Sequence, residues 1–270
     1  GYEGNKWGGK YLRAPDIFYM ILEKGHGNLT TLGKLVIKTQ RNTLQNFTKI
    51  IEVKENYLIN NNYPYLSSVK DIETIKVDIK RLPISLKRTT QKTIEYTIPD
   101  IISNRFLGER LFFIEGGNFV VSDTFFVGFL KKGYEKKEIL ASLNSTCFLM
   151  ITEIIGRKNL GGGLLTIYGP ELKSLIVFNP QKLSQKTKDK LLSVYEKISK
   201  RPIQSIFDEL GIDPSKPIRE QEPKPLPDRA ELDKIIFDEL ELTKGERKEV
   251  YWSVCELVKQ RLEKARSLRE

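Results

Sequence analysis

Histidine occurs once, as His26, and cysteine twice, as Cys147 and Cys255. A single histidine cannot supply a two-His metal site, a zinc finger or a His-based catalytic triad. The two cysteines each sit inside an apolar helical pattern, so they read as small buried hydrophobes of a reduced intracellular protein, not as a disulfide framework. No apolar run approaches the roughly 20 residues of a membrane span, which predicts a cytoplasmic protein with no membrane partner. The chain opens Gly1-Tyr2-Glu3-Gly4, without a Met, a charged n-region or an apolar h-region, and so reads as a segment of a longer chain lacking a secretion signal. No Asn-Pro-Pro-Tyr or Asp-Pro-Pro-Tyr tetrapeptide occurs, the nearest run being Asn62-Tyr63-Pro64-Tyr65. Gly4 to Lys10 has the spacing of a phosphate-binding loop, but Tyr11 stands where a Ser or Thr must hold magnesium. These absences predict no catalytic residue, no metal site and no cofactor of its own for this chain.

What is present is charge. The 270 residues are 39% hydrophobic and 30% charged, with 45 Lys+Arg against 35 Asp+Glu, a net charge of +10 and a pI near 9.3. Most of the excess falls on residues 1–180, which hold 25 Lys/Arg and 17 Asp/Glu, against 20 and 18 in residues 181–270. A basic surplus on the first two thirds points to a polyanionic partner.

Periodicity divides the chain. Pro15 followed by Ile17, Phe18, Ile21 and Leu22, closed by Lys24-Gly25, predicts a short helix. From about Leu32 to Phe129 the period becomes two: Ile75, Val77 and Ile79 alternate with Lys76, Asp78 and Lys80, and Ile94, Tyr96 and Ile98 repeat the pattern. Leu111–Ile114 and Phe119–Phe129, separated by Glu115-Gly116-Gly117-Asn118, predict a hairpin. One helix is predicted from Glu135 through Ile154 to a stop at Gly156, then a strand at Leu164–Tyr168. Beyond Pro180 the patterns are helical, interrupted at residues 211–228 by Pro214, Pro217, Pro223, Pro225 and Pro227, which read as a semi-extended linker. The last helix opens on the capping-box pattern Thr243-Lys244-Gly245-Glu246, and its stripe of Val250, Val254, Leu257, Val258 and Leu262 needs a partner, with the helix around Leu232–Leu240 the expected one.

Two polar basic stretches interrupt the strands. Lys38, Gln40, Arg41, Asn42 and Gln45 lie in the first, and Lys87, Arg88, Gln91 and Lys92 in the second. Arg, Gln and Asn can bond guanine or adenine edges bidentately, while Lys holds phosphates. Arg157 and Lys158, at the end of a helix and before the Gly161-Gly162-Gly163 loop, are further candidates for phosphate. Pro99-Asp100 with Glu135-Lys136-Lys137, or Pro15-Asp16 with Glu52-Val53-Lys54, has the letters of a magnesium nuclease, a weak pattern in so charged a chain.

The segment Arg157-Lys158-Asn159-Leu160-Gly161-Gly162-Gly163-Leu164-Leu165-Thr166-Ile167, with Leu143-Asn144-Ser145 before it and Leu172 to Asn179-Pro180 after it, resembles the C-terminal target-recognition region of adenine-specific DNA methyltransferases. These are the TaqI-like specificity domains, common in fused restriction-modification enzymes. Trp7-Gly8-Gly9-Lys10-Tyr11-Leu12-Arg13-Ala14-Pro15-Asp16 is similar to the join between catalytic and recognition domains, and Ser122–Phe125, Asp233–Phe237 and Val258–Leu262 are similar too. Residues 31–60 depart from the family pattern, since Thr39 to Asn46 has no glycine turn. The resemblance implies a catalytic half before Gly1 that binds S-adenosylmethionine and methylates an extruded adenine, while this chain reads neighbouring bases in double-stranded DNA.

The expectation is an α+β fold, with a twisted mixed or antiparallel sheet domain followed by a helical one. Residues 1–30 are a linker and short helix joining to an absent methyltransferase domain, 31–180 a β-rich DNA target-recognition domain, and 181–270 a helical domain with the Pro-rich linker 211–228. Two alternatives remain open: half of a type I restriction specificity subunit, with the helix at residues 246–266 as a spacer, and a metal-dependent nuclease.

Overall fold

A computed structural model describes residues 14–41, 64–82, 98–158 and 163–267. Helix α1 (Asp16–Lys24) begins after Pro15, which has no N–H to leave unbonded there, buries Ile17, Phe18 and Ile21, and ends at Gly25. Strand β1 (Leu29–Thr31) and the single turn α2 (Leu32–Leu35) lead into β2 (Val36–Arg41). After β3 (Tyr65–Leu66) come β4 (Ile101–Asn104), β5 (Phe106–Leu107), β6 (Phe113–Glu115), β7 (Val120–Val121) and β8 (Phe125–Leu130). Helices α3 (Lys136–Leu143) and α4 (Thr146–Ile155) precede β9 (Arg157–Lys158), β10 (Leu165–Thr166), α5 (Gly169–Ser174) and β11 (Ile176–Phe178). Four helices close the chain: α6 (Gln185–Ile198), α7 (Ile206–Leu210), α8 (Pro227–Glu239) and α9 (Lys244–Arg266).

The main sheet is four-stranded, in the order β2-β8-β4-β6, and antiparallel throughout. Its strands from β4 onward are buried along nearly their whole length, as a sheet covered on both faces requires. Smaller ladders join β5, β10 and β9, and the parallel pair β3–β7 is the exception to antiparallel pairing among the described strands. β1 pairs with β11, Leu29 opposite Phe178, as a separate two-stranded ladder. The expected α+β class holds, with open sheets followed by helices.

Three local expectations differ from the structure. The helix predicted from Glu135 to Ile154 is broken at Asn144-Ser145, and its halves are bent by 74°. Asn144 causes the break: its side-chain oxygen accepts from Phe113 N (2.8 Å) and its amide nitrogen donates to Phe113 O (3.0 Å) and Leu140 O (2.9 Å), so it serves β6 as an extra ladder partner. Asp233 of α8 then accepts from Thr146 N (2.7 Å) and Thr146 Oγ1 (2.6 Å), capping the second half from another helix. The predicted hairpin over residues 111–129 does not form, because β6 pairs with β4 and β7 with β3. Gly116 is needed instead for close approach: a Cβ there would lie 1.6 Å from the Pro99 carbonyl oxygen. Residues 75–80 form no strand, only an isolated bridge between Lys76 and Glu115 followed by a 3₁₀ turn at Ile79–Arg81, since Ile75 is buried by packing and not by a ladder. The 94–97 part of the second alternation lies outside the described residues.

The helices beyond Pro180 share one continuous hydrophobic cluster with the sheets. The capping box at Thr243 forms, with Glu246 N donating to Thr243 Oγ1 (3.4 Å) and Thr243 N to Glu246 Oε2 (2.6 Å). The apolar stripe of α9 packs chiefly along α4, and meets α8 through the edge-on pair Phe237–Tyr251 (5.5 Å). Residues 211–228 run without α-helix until α8 opens at Pro227; Lys224 N bonds Leu210 O (2.8 Å), Leu226 N bonds Glu209 O (2.9 Å) and Trp252 Nε1 bonds Gln221 O (2.9 Å). Both cysteines are buried and unpaired, and burial pushes the Cys255 thiol up to about 12. No single helix among the described residues is long and apolar enough to cross a membrane.

Glu209 is buried where these helices meet. Arg201 grips it at 2.7 Å with both terminal nitrogens, and Arg229 donates at 3.1 Å. Burial alone would raise its carboxyl, but the two guanidiniums hold it below the usual carboxylate range. The resulting stabilisation is complete above the unfolded value of about 4.3 and is lost as pH falls through the lower folded one. Glu209→Gln, which leaves Arg229 without its paired carboxylate and Arg201 with Asp228 alone, is expected to lower unfolding free energy at pH 7 by about 3–5 kcal/mol and to flatten the acid side of a Tm-versus-pH curve below about pH 4.

Candidate nucleic-acid interface

β2 is an edge strand of the main sheet, and three candidate residues lie on it. Lys38 pairs opposite Phe129, its ammonium 5.0 Å from that ring, and is exposed. Gln40 and Arg41 pair opposite Val127 and Phe126. Asn42, Gln45, Lys87, Arg88, Gln91 and Lys92 lie outside the described residues. The segments that carry them are nonetheless attached to one sheet: residues 42–63 leave the end of β2, residues 83–97 lead towards β4, and both strands flank β8.

Tyr168 organises the face beside them. Its ring meets Phe126, the register partner of Arg41, edge-on at 5.8 Å. The guanidiniums of Arg105 and Arg157 lie 5.0 and 5.2 Å from its centroid. Arg105 is also 4.9 Å from the Phe106 ring and donates through Nη2 to Tyr168 Oη (3.3 Å). Two like charges tolerate one ring because Glu171, wholly buried, accepts from Arg157 Nε at 2.8 Å and from Tyr168 N at 3.2 Å as the N3 residue of α5. Lys158 lies 3.9 Å from Glu153, which is itself gripped by Arg261 at 2.8 Å. Arg157 and Lys158, expected as phosphate contacts, are thus each matched to a buried carboxylate within the chain. Arg105 has no carboxylate in ion-pair range among the described residues, and its Nε is buried without a hydrogen-bond partner.

The sequence reading missed Arg105 and Tyr168. Tyr168-Gly169-Pro170-Glu171 does carry a signal, the Pro and Glu of a helix start, but nothing local says that Arg105 stacks on the preceding Tyr. Asn104 and Phe106, on either side of Arg105, line a cavity of about 430 Å³ with Phe112, Arg110 and Thr124. Burial lowers the Arg110 guanidinium, which donates to Ile203 O (3.1 Å) and Ile72 O (2.8 Å).

The nuclease-like letters do not converge. Asp100 accepts from Leu130 N (2.7 Å), Glu135 caps α3 through Lys137 N (3.3 Å), and Lys137 pairs with Glu196 (2.5 Å). Glu52 and Lys54 of the second pair lie outside the described residues. Among the described residues no group of three or more His, Cys, Asp or Glu side chains is placed to hold a metal ion.

Residues 98–211 match the family model described as the C-terminal domain of the type II methyltransferase M.Eco57I, a span that includes Arg105, Phe126, Arg157, Tyr168 and Glu171. The structure of the type IIG restriction endonuclease BpuSI superposes with a TM-score of 0.57 at 13% identity, covering 95% of this chain and 34% of that one. At that identity the likeness concerns the fold, and the chain spans about a third of the length of BpuSI. No curated protein matches this sequence. The family match covers under half of the chain; within it, residues 98–211 resemble the C-terminal domain of a restriction-modification methyltransferase, in agreement with the resemblance drawn from Arg157–Ile167.

The Tyr168 cluster yields a direct check. Tyr168→Phe keeps both stacks and loses one 3.3 Å bond, so it is expected to cost less than about 1 kcal/mol. Tyr168→Ala removes the surface shared by Arg105, Arg157 and Phe126 and is expected to cost about 2–3 kcal/mol in urea unfolding.

Proposed function

We propose that this chain is the sequence-specific DNA-recognition module of an S-adenosylmethionine-dependent, adenine-specific methyltransferase of a restriction-modification system. The observation that carries the reading is the register of β2: the strand that leads into the polar segment 42–63 brings Arg41 opposite Phe126, whose ring meets the Tyr168 ring on which Arg105 stacks. A strand end rich in Arg and Gln, paired with the sheet that carries stacked cations and rings, suits a duplex, whose bases are read by Arg, Gln and Asn and whose phosphates are held by cations. The basic excess on residues 1–180 supports the same partner. In this reading Lys38, Gln40, Arg41, Asn42, Gln45, Lys87, Arg88, Gln91 and Lys92 contact DNA, joined by Arg105. S-adenosylmethionine belongs to the methyltransferase portion that partners this module, and no residue here is assigned to it. The reading includes a cytoplasmic location.

Half of a type I specificity subunit would need its long helix free as a spacer. The stripe of α9 is instead buried along α4, which favours the first reading.

Fluorescence anisotropy of labelled duplex DNA, titrated from low to near-physiological salt, tests it. The expected outcome is binding that weakens with a log–log slope of about −4 or steeper. Arg41→Ala or Arg88→Ala is expected to relax sequence preference, while Lys87→Ala and Arg105→Ala weaken all duplexes about equally. Equal effects of all four on selected and random DNA would remove the base-reading assignment.

A further inference from the structure

Part of the surplus charge collects in one place. In the helical part, Arg201, Arg219, Arg229, Arg247 and Arg261 each face a carboxylate at 2.6–3.1 Å. The opposite holds at the start of β2. Lys34 on α2, Lys38 on β2, Lys131 and Lys132 after β8, and Lys173 on α5 are all exposed, and none has a carboxylate within ion-pair range among the described residues. They are neighbours: Lys131 Nζ donates to Lys34 O (2.8 Å), Lys131 N to Leu35 O (2.9 Å), and a Cβ on Gly33 would touch Lys173 O at 2.9 Å. Lys38 joins them through the pairing of β2 with β8. Between them Ile37 is 71% exposed. Holding five cations near one another with no counter-charge among the described residues is unfavourable by itself, and a polyanion relieves it.

We propose that Lys34, Lys38, Lys131, Lys132 and Lys173 form a phosphate rail that grips duplex DNA to one side of the bases that are read. The inference rests on the DNA-recognition reading and adds where the duplex runs. Five residue steps along β2, from Val36 to Arg41, span about 17 Å, which corresponds to about five base pairs of duplex. Lys38 itself lies three residue steps before Arg41, so the rail holds phosphates of any sequence within about half a helical turn of the contact assigned to Arg41. That separates affinity from specificity: the rail supplies salt-sensitive, sequence-independent binding, and the segments beyond β2 and before β4 supply choice.

The rival explanation for lysines on an edge strand is that they keep it from pairing with another copy. The triple variant Lys34→Gln, Lys132→Gln, Lys173→Gln distinguishes the two, because it leaves Lys131 and its bond to Lys34 O, and Lys38 over Phe129, in place. With a 24-base-pair duplex as probe, the salt slope is expected to become shallower by about 2–3, near 0.9 for each lost phosphate contact. Affinity is expected to fall by the same factor on selected and scrambled sequences. The corresponding triple Arg variant, which keeps the charge, is expected to restore the slope. An unchanged slope, or a change in sequence preference alone, overturns the rail. So does a variant that dimerises in light scattering while binding DNA as before, since the lysines then guard the edge. If the unaltered chain binds no duplex even at low salt, the DNA-recognition reading itself fails and the rail falls with it.

Discussion

The amide of Asn144 holds together two things that would otherwise be independent, the bend between α3 and α4 and the position of β6. A buried backbone N–H or C=O without a partner costs free energy comparable to a lost hydrogen bond, so a helix interrupted inside a core must have its loose ends satisfied by something. Asn144 satisfies Phe113 on both its N–H and its C=O, and Asp233 satisfies the first N–H of α4. Arg229 closes the circuit by donating to the Asn144 carbonyl and to Glu209. Glu209 in turn holds Arg201, which also reaches Asp228 at 2.6 Å. The polar node that bends the core helix is therefore the node that attaches α7 and α8. Burial pushes the Asp233 carboxyl up, against the Arg229 charge and the Thr146 bonds that pull it down.

This core presents its strands to the surface in a fixed order. Because β8 is the central partner of both β2 and β4, the two polar segments singled out by their Arg, Gln, Asn and Lys content join in sequence to strands on either side of β8. The β5-β10-β9 ladder sets Arg157 beside Glu171 and Tyr168, so that a buried carboxylate compensates one guanidinium of the pair while Arg105 keeps its charge. Among the described residues, charge compensation thus separates cations paired to carboxylates, which stabilise the fold, from cations such as Arg105 and Lys38 that have no carboxylate in ion-pair range; the proposed function assigns the latter to a polyanion.

Signals that act over a few residues could be read without coordinates. Pro15 and Gly25 bound α1, Thr243 and Glu246 cap α9, and the i, i+3, i+4, i+7 spacing of Ile203, Ile206, Phe207 and Leu210 marks the turn that becomes α7. The Arg157–Ile167 resemblance pointed to the class that residues 98–211 match. Strand pairing was less legible. A run such as Leu111–Ile114 next to Phe119–Phe129 suits a hairpin by local rules, yet β6 gains more by lying against β4 and taking the Asn144 amide. Gly116 was visible as a glycine, while its reason, the Pro99 carbonyl in van der Waals contact, lies 17 residues away.

By itself the sequence determined the surplus of positive charge and its bias toward residues 1–180, the ends of the capped helices, the α+β class and the burial of Cys147 and Cys255. These follow from composition and from interactions within one or two turns of chain, where neighbours in sequence are neighbours in space. Only the tertiary structure decided which strand meets which, where the core helix bends, that Arg105 and Arg157 share the Tyr168 ring, and which lysines have no carboxylate beside them. Those outcomes depend on the cost of removing polar groups from water, and that cost is set by partners that folding alone brings within reach.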